Sequence, residues 1–314
     1  MNATVNGSTH DGTGLAASRA IVVGVTGRGR ETPALAFAAD CARREGLPVL
    51  LVHAFRNTLP APPPSVLLTH AEVGQVAEAV VHEVAEELEE LTGGTVKAST
   101  LTLAGKASRA LIQLGHDASL IVVQHRSWHA PGHLFVGSTV NGAAAHADCP
   151  VVSVPPDWRP VAATDGGPGE VVVGVHERGV PHQVLEAGFA WAADTGAPVR
   201  VVHGWRLDAG YDDIITARVA AEWREEQKQA LSTAVAGLRE SHPSVPVELE
   251  VRHQWPAEVL VDCSRTASLV VVGRRGPHGW VGEHLGSVAR TVLRAAESPV
   301  MVVPVRPEQE APRA

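Results

Sequence analysis

The stretch ASLVVVGRRGPHGWVGEHLGSVA occupies residues 267–289. Its opening, ASLVVVG, returns almost letter for letter as ASLIVVQ over residues 118–124. Three further pairs keep the same order and the same offset of about 150 residues. IVVGV (21–25) matches VVVGV (171–175), LLVHAF (50–55) matches RVVHGW (200–205), and CPVVSVP (149–155) matches SPVMVVP (298–304). Ordered self-similarity of this kind marks a tandem duplication. The chain therefore reads as a tail over 1–18, a first domain over 19–156, a Pro- and Gly-rich linker over 157–169, a second domain over 170–305 and a tail over 306–314.

Within each copy, short β-branched runs alternate with Ala-rich stretches of helical spacing, which predicts parallel strands with helices on both faces. In the first copy the spacing predicts helices over 33–44 and over about 72–91. The second would carry Val73, Val76, Val80, Val84, Leu88 and Leu91 along its apolar face. Its acids, Glu83, Glu86, Glu87, Glu89 and Glu90, read as a solvated face. TVKASTLTL (95–103) reads as a strand.

Composition narrows the function. The 314 residues carry 34 acids against 26 bases, a net charge of −8, and no basic stripe, so a nucleic-acid partner is not expected. No run approaches the ~18 apolar residues of a membrane span. The first fourteen residues, MNATVNGSTHDGTG, lack the basic start and apolar core of a signal peptide and read as a flexible tail. Cys41, Cys149 and Cys263 have neither metal-ligand spacing nor an even count, which suits a reducing cytoplasm.

The remainder of the opening stretch carries the chemistry. A strand ends at Gly273, a glycine-punctuated loop follows, and Gly286-Ser287-Val288 begins a helix. Ligands of open parallel sheets bind at the carboxyl ends of strands where chain order reverses. A helix start there offers unpaired N–H groups and a partial positive charge to an anion such as phosphate. Glycine permits close backbone approach. Ser287 is expected to cap the helix or to turn its hydroxyl to a phosphate oxygen, and Arg274 and Arg275 would add charge. The loop lacks the G-K-[ST] of a Walker motif, and the turns TGRGR and HERGV lack G-x-G-x-x-G.

The spacing Gly273-x2-Gly276, nine residues, then Gly286-Ser287 resembles the nucleotide-binding signature of the universal stress protein family. The strand-two V-H and the closing P-V-x-x-V-P resemble that family too, in both copies. The resemblance implies five-stranded parallel α/β domains of Rossmann-like, adenine nucleotide alpha hydrolase-like type that pair with one another. It also implies ATP as ligand, Mg arriving with the ATP, and a role in stress adaptation without catalysis. Family members contact adenine through the backbone after the V-H pair, which maps to Gly204, and carry an aspartate after the first strand. Thr26 and His176 stand there instead, so base recognition is less well supported than phosphate recognition. In the first copy the signature positions read Gln124, Ser127, Gly137 and Ser138. Two glycines are missing, and that site is expected to be retired.

Other features lead less far. His125, His129 and His133 are interrupted by Pro131-Gly132, so a shared helical face and a metal site are not expected. His53 and His203 recur at matching positions, which favours a structural role. The tryptophans are scattered and read mostly as packing, with Trp280 in the loop as the exception. LPAPPPSV (59–66) and LDAGYDDI (207–214) are unlike insertions after the second strand of each copy, read as variable surface loops. The terminal strands PVVSVP and PVMVVP are the expected pairing elements of the two domains. A homodimer of whole chains and an unidentified regulatory protein stay open as partners. Two rival functions remain: a nucleotide-free scaffold, and an enzyme that cleaves ATP or adenylates a substrate.

Overall fold

The computed structural model describes residues 4–6, 19–55, 70–125, 138–159, 169–176, 182–207, 209–212, 215–274 and 285–305. The chain divides into two compact units, Met1–Pro160 and Val161–Ala314. Among the described residues, no helix is long and apolar enough to cross a membrane.

In the first unit the order is β1 (Thr4–Asn6), β2 (Ile21–Gly24), α1 (Thr32–Glu45), β3 (Val49–Phe55), α2 (His70–Thr92), β4 (Ala98–Ala104), α3 (Ala107–Leu114), β5 (Leu120–Gln124), α4 (Ser138–His146) and β6 (Val151–Val154). Its strands lie in the order β1-β4-β3-β2-β5-β6. All pairs are parallel except β1 on β4, where Thr4 faces Thr102 and Asn6 faces Thr100. The N-terminal tail thus contributes a short strand of its own, a sixth beyond the five expected.

The second unit runs β7 (Glu170–Gly174), α5 (His182–Thr195), β8 (Val199–Trp205), α6 (Ala209–Asp212), α7 (Ala217–Ser241), β9 (Val247–His253), α8 (Pro256–Cys263), β10 (Ala267–Arg274), α9 (Ser287–Ala295) and β11 (Val300–Pro304). Its order is β11-β10-β7-β8-β9, all parallel. The short apolar runs form the central strands because helices cover both of their faces. Ile21, Val23, Val171 and Val173 are fully buried. The first helix of each copy ends on a glycine in the left-handed region, Gly46 at φ 67° and Gly196 at φ 68°, the conformation that stops a helix at least cost. Gly188 of α5 sits so close to β7 that an added Cβ would lie 2.4 Å from Val173 Cγ2.

The apolar stripe of α2 is rotated from the expected one. Ala77, Val81, Val84 and Leu88 are buried, whereas Val76 is 58% and Leu91 43% exposed. The rotation brings Glu87 inward, where it is 7% exposed.

Candidate functional site

Chain order reverses at matching places in the two copies. From β2 the chain turns toward β3 and from β5 toward β6; β7 and β10 repeat the arrangement. The carboxyl ends of each central pair lie abreast, with Gly24 beside Val123 and Gly174 beside Val272. A crevice between oppositely leaving loops is where open α/β sheets take ligands. Thr26 and Gln124 therefore mark this point in the first copy, and His176 and Gly273 mark it in the second.

In the first copy the point is closed by its own side chains. Gln124 reaches from the end of β5 to the first turn of α1, where its Nε2 donates to the Arg30 carbonyl at 2.7 Å. Its Oε1 accepts from the Ala34 N–H at 3.3 Å. Glu31, 4% exposed, accepts from the Thr26 N–H at 3.0 Å and from the Thr26 hydroxyl. Glu87 of α2 accepts from the Gly29 N–H at 2.7 Å and from the Thr32 hydroxyl. Arg28 adds ion pairs to Glu86 and Glu90. Two buried carboxylates thus satisfy the amides and hydroxyls of the β2–α1 turn, which would otherwise need water or a ligand. The acidic face expected to be only solvated is, at Glu87, an internal tether. Glu87 falls three residues after Val84 and one before Leu88, so helical geometry alone places it on the buried side, and that signal was available in the sequence.

The second copy has none of the Gln124 reach. Gly273 stands at that strand end, and a Cβ added there would lie 3.0 Å from Val184 Cγ2 and 3.1 Å from Val305 Cγ2. Val184 occupies the place in α5 that Ala34 occupies in α1. Arg274 closes β10 opposite Pro304. The following helix, α9, begins as expected at Gly286-Ser287, with one correction. Gly286 is the N-cap, at φ −58° and ψ 155°, and Ser287 is the first helical residue, so the cap residue itself has no side chain to accept from the first turn. Ser287 is exposed and Val288 half-buried. The Arg290 guanidinium donates to the Leu285 carbonyl at 2.9 Å, holding the entry to the helix. An uncapped start leaves its first N–H groups directed at whatever approaches, which suits an anion. In the first copy α4 likewise begins at Ser138. Ser127, Gly137, Arg275, Gly276, His129, His133 and Trp280 lie outside the described residues, as does 59–66.

Gly204 has a packing reason of its own: a Cβ there would meet Pro256 Cα at 2.8 Å and the Gln254 carbonyl oxygen at 3.1 Å. The V-H histidines act alike in both copies. His53 Nδ1 lies 2.9 Å from the Val25 carbonyl oxygen and His203 Nδ1 3.2 Å from that of Val175, so each ring ties its strand to the neighbouring one. Among the described residues, no group of three or more His, Cys, Asp or Glu could hold a metal ion. All three cysteines are buried and free; burial pushes the Cys41 and Cys149 thiols up to about 12 and raises that of Cys263.

The family model described as the universal stress protein family matches residues 18–155 and again 169–304. A universal stress protein of Mycolicibacterium smegmatis is 31% identical over 290 residues, covering 90% of this chain and 96% of its own length. A universal stress protein of Mycobacterium tuberculosis is 30% identical over 299 residues, covering 91% and 96%. The crystal structure of a universal stress protein from Archaeoglobus fulgidus shares the fold with a TM-score of 0.62 at 16% identity, over 94% of this chain and 99% of that one. With two successive matches spanning most of its length, the chain is a tandem member of the universal stress protein family.

Proposed function

We propose that the second copy binds an adenine nucleotide such as ATP, and that the first copy does not. The observation that carries this reading is the contrast at one strand end. Gln124 bridges the crevice of the first copy, whereas Gly273 leaves that of the second without such a side chain. The phosphates would sit on the uncapped start of α9, at the N–H groups of Gly286, Ser287 and Val288. Gly273 and Gly276 would give the backbone room to approach, and Arg274 and Arg275 would supply positive charge. His176 and Gly204 would border the base and ribose. Mg would arrive on the phosphates, keeping most of its water, as is usual for this ion.

The chain would then act as a regulator in stress adaptation rather than as a catalyst. A bound nucleotide can shift only an equilibrium between states that it binds differently, so occupancy would act by favouring one partner-binding form. Pairing between the two copies and the unidentified regulatory partner belong to the same proposal. So does the cytoplasm as the site of action, which three unpaired thiols suit.

Calorimetric titration of ATP into the full chain and into Ser287→Glu tests the anion site. A carboxylate at a helix start stabilises the helix but repels phosphate. The variant should lose at least about tenfold in affinity, roughly 1.4 kcal/mol, with Tm unchanged or raised. Equal heats in both proteins would overturn the proposal.

A further inference from the structure

The second copy carries, at the carboxyl ends of β8 and β9, a cluster built on Trp205 and His253, whose register counterparts in the first copy are Phe55 and Ala104. Trp205 and His253 are register partners. Their rings stack with centroids 4.1 Å apart and 25° between planes. His253 Nε2 lies 2.7 Å from Asp212 Oδ1. The same carboxylate accepts from the Leu207 N–H at 3.2 Å and from Arg206 Nε at 3.1 Å. Asp212 is the last residue of α6, so one carboxylate fastens the segment leaving β8 to the last residue of β9. Its side chain is 10% exposed and that of His253 30%, which leaves the pair shielded yet open to proton exchange with solvent. The aromatic surround is built from three directions. Trp223 of α7 packs on Trp205 at 5.1 Å between centroids, and the Arg206 guanidinium lies 5.7 Å over the ring of Trp255. At the corresponding register position of the first copy stand Phe55 and Ala104, neither of which titrates.

We propose that Asp212 and His253 form a pH-operated latch, which holds the β8–α6 segment tightly when the imidazole is charged and loosens it when the imidazole is neutral. Histidine is the side chain whose charge changes between about pH 5 and 8. A charged imidazole turns a neutral hydrogen bond into a charge-assisted one, roughly twice as strong. Among the described residues, the neighbouring charges are engaged elsewhere, apart from Arg206. Arg206 is the other cation on Asp212. On β9, Arg252 pairs with Glu250 at 2.5 Å, and both alternate to the opposite face from His253. On α7, Arg218 pairs with Glu222 at 2.7 Å. Before α8, the Gln254 amide turns to Asp262. The partner carboxylate stays ionised throughout this range. Its hydrogen bond to His253, then the Leu207 amide and the charges of His253 and Arg206, hold Asp212 below its ordinary value of 3.8. The latch therefore tightens when the imidazole takes up a proton, and it fails only in strong acid, where Asp212 takes up one too. Arg206 and Leu207 still hold the carboxylate when His253 is neutral, so the segment loosens without letting go. The latch is independent of nucleotide binding, and its test contains no nucleotide.

The test is amide hydrogen exchange of residues 206–212 in the full chain at pH 5.5 and pH 8, corrected for intrinsic rates. Protection in the wild type should be about two- to fivefold higher at pH 5.5, the span of an exposed ion pair. The step should vanish in His253→Gln, which keeps a donor without the charge, and in Asp212→Asn, which keeps an acceptor without the charge. Protonation should also quench tryptophan emission through the stacked ring, and Trp205→Phe should remove that quenching. Wild-type protection that does not change with pH, or a step that persists in both His253→Gln and Asp212→Asn, would overturn the latch.

Discussion

The two copies share the order of their five parallel strands, the glycine that ends the first helix and the histidine that ties the second strand to the first, yet they differ at the strand end beside each switch point, Gln124 in one and Gly273 in the other. In the first copy Gln124, Glu31 and Glu87 spend their hydrogen-bonding capacity on the β2–α1 turn. In the second copy Gly273 stands where Gln124 does, one residue before the end of β10, and the stretch of α7 aligned with Glu86-Glu87 reads Ala236-Gly237. Duplication preserved what the core requires, whereas at the strand ends of the first copy a few polar side chains satisfy backbone amides from within.

The largest effect expected from this contrast is at Glu87. Glu87→Ala removes two hydrogen bonds that a carboxylate accepts, from the Gly29 N–H and the Thr32 hydroxyl, and at about 0.5–1.5 kcal/mol each should cost about 1–3 kcal/mol, read from urea midpoints. Gly237→Ala, at the aligned place, should instead gain about 0.5–1 kcal/mol, because the helical position is exposed and an added Cβ meets nothing within 4 Å. Equal responses at the two places would break the comparison. Of the same order is Gly188→Ala, which forces a methyl against Val173 and should cost about 1–3 kcal/mol through overpacking. Normal stability there would mean that α5 can move away from β7.

Thiol chemistry sharpens the contrast further. Unfolded cysteine ionises near 9.0, whereas Cys41 and Cys149 of the first copy are raised to about 12. The folded state therefore holds these protons more tightly. Its stability should be intact below pH 9 and fall as pH rises from 9 toward 12. At pH 8 a maleimide should label all three thiols only as fast as the protein opens, since all are buried. Prompt labelling of Cys41 or Cys149 would contradict the burial that raises them.

The fold was legible because its signals are local and repeated: β-branched runs of strand length, Ala-rich helical stretches, and the same order twice. The helix start at Ser287 was legible for the same reason. The tethers were not, because each joins residues far apart in sequence. Gln124 meets Arg30 only when β5 lies beside β2, and Asp212 meets His253 only when β9 lies beside β8. Glu87 was misread for a subtler reason. The stripe drawn through Val76, Val80 and Leu91 followed side-chain type, whereas burial selected Ala77, Val81, Val84 and Leu88. Ala77 and Val81 were passed over in favour of Val76 and Leu91, which are exposed. Of the two roles expected for Ser287, the capping one falls one position off, since Gly286 takes the cap.

The central claim of the proposal is that the residue at the Gln124 or Gly273 position decides which copy takes a nucleotide. Calorimetric titration of ATP into the wild type, Gly273→Gln and Gln124→Gly, each checked for an intact Tm, tests it most directly. The account predicts one nucleotide per wild-type chain, none for a folded Gly273→Gln that carries the first copy's bridge, and an unchanged second-copy site in Gln124→Gly. A wild type that binds two nucleotides or none, or a Gly273→Gln chain that binds as the wild type does, would contradict it.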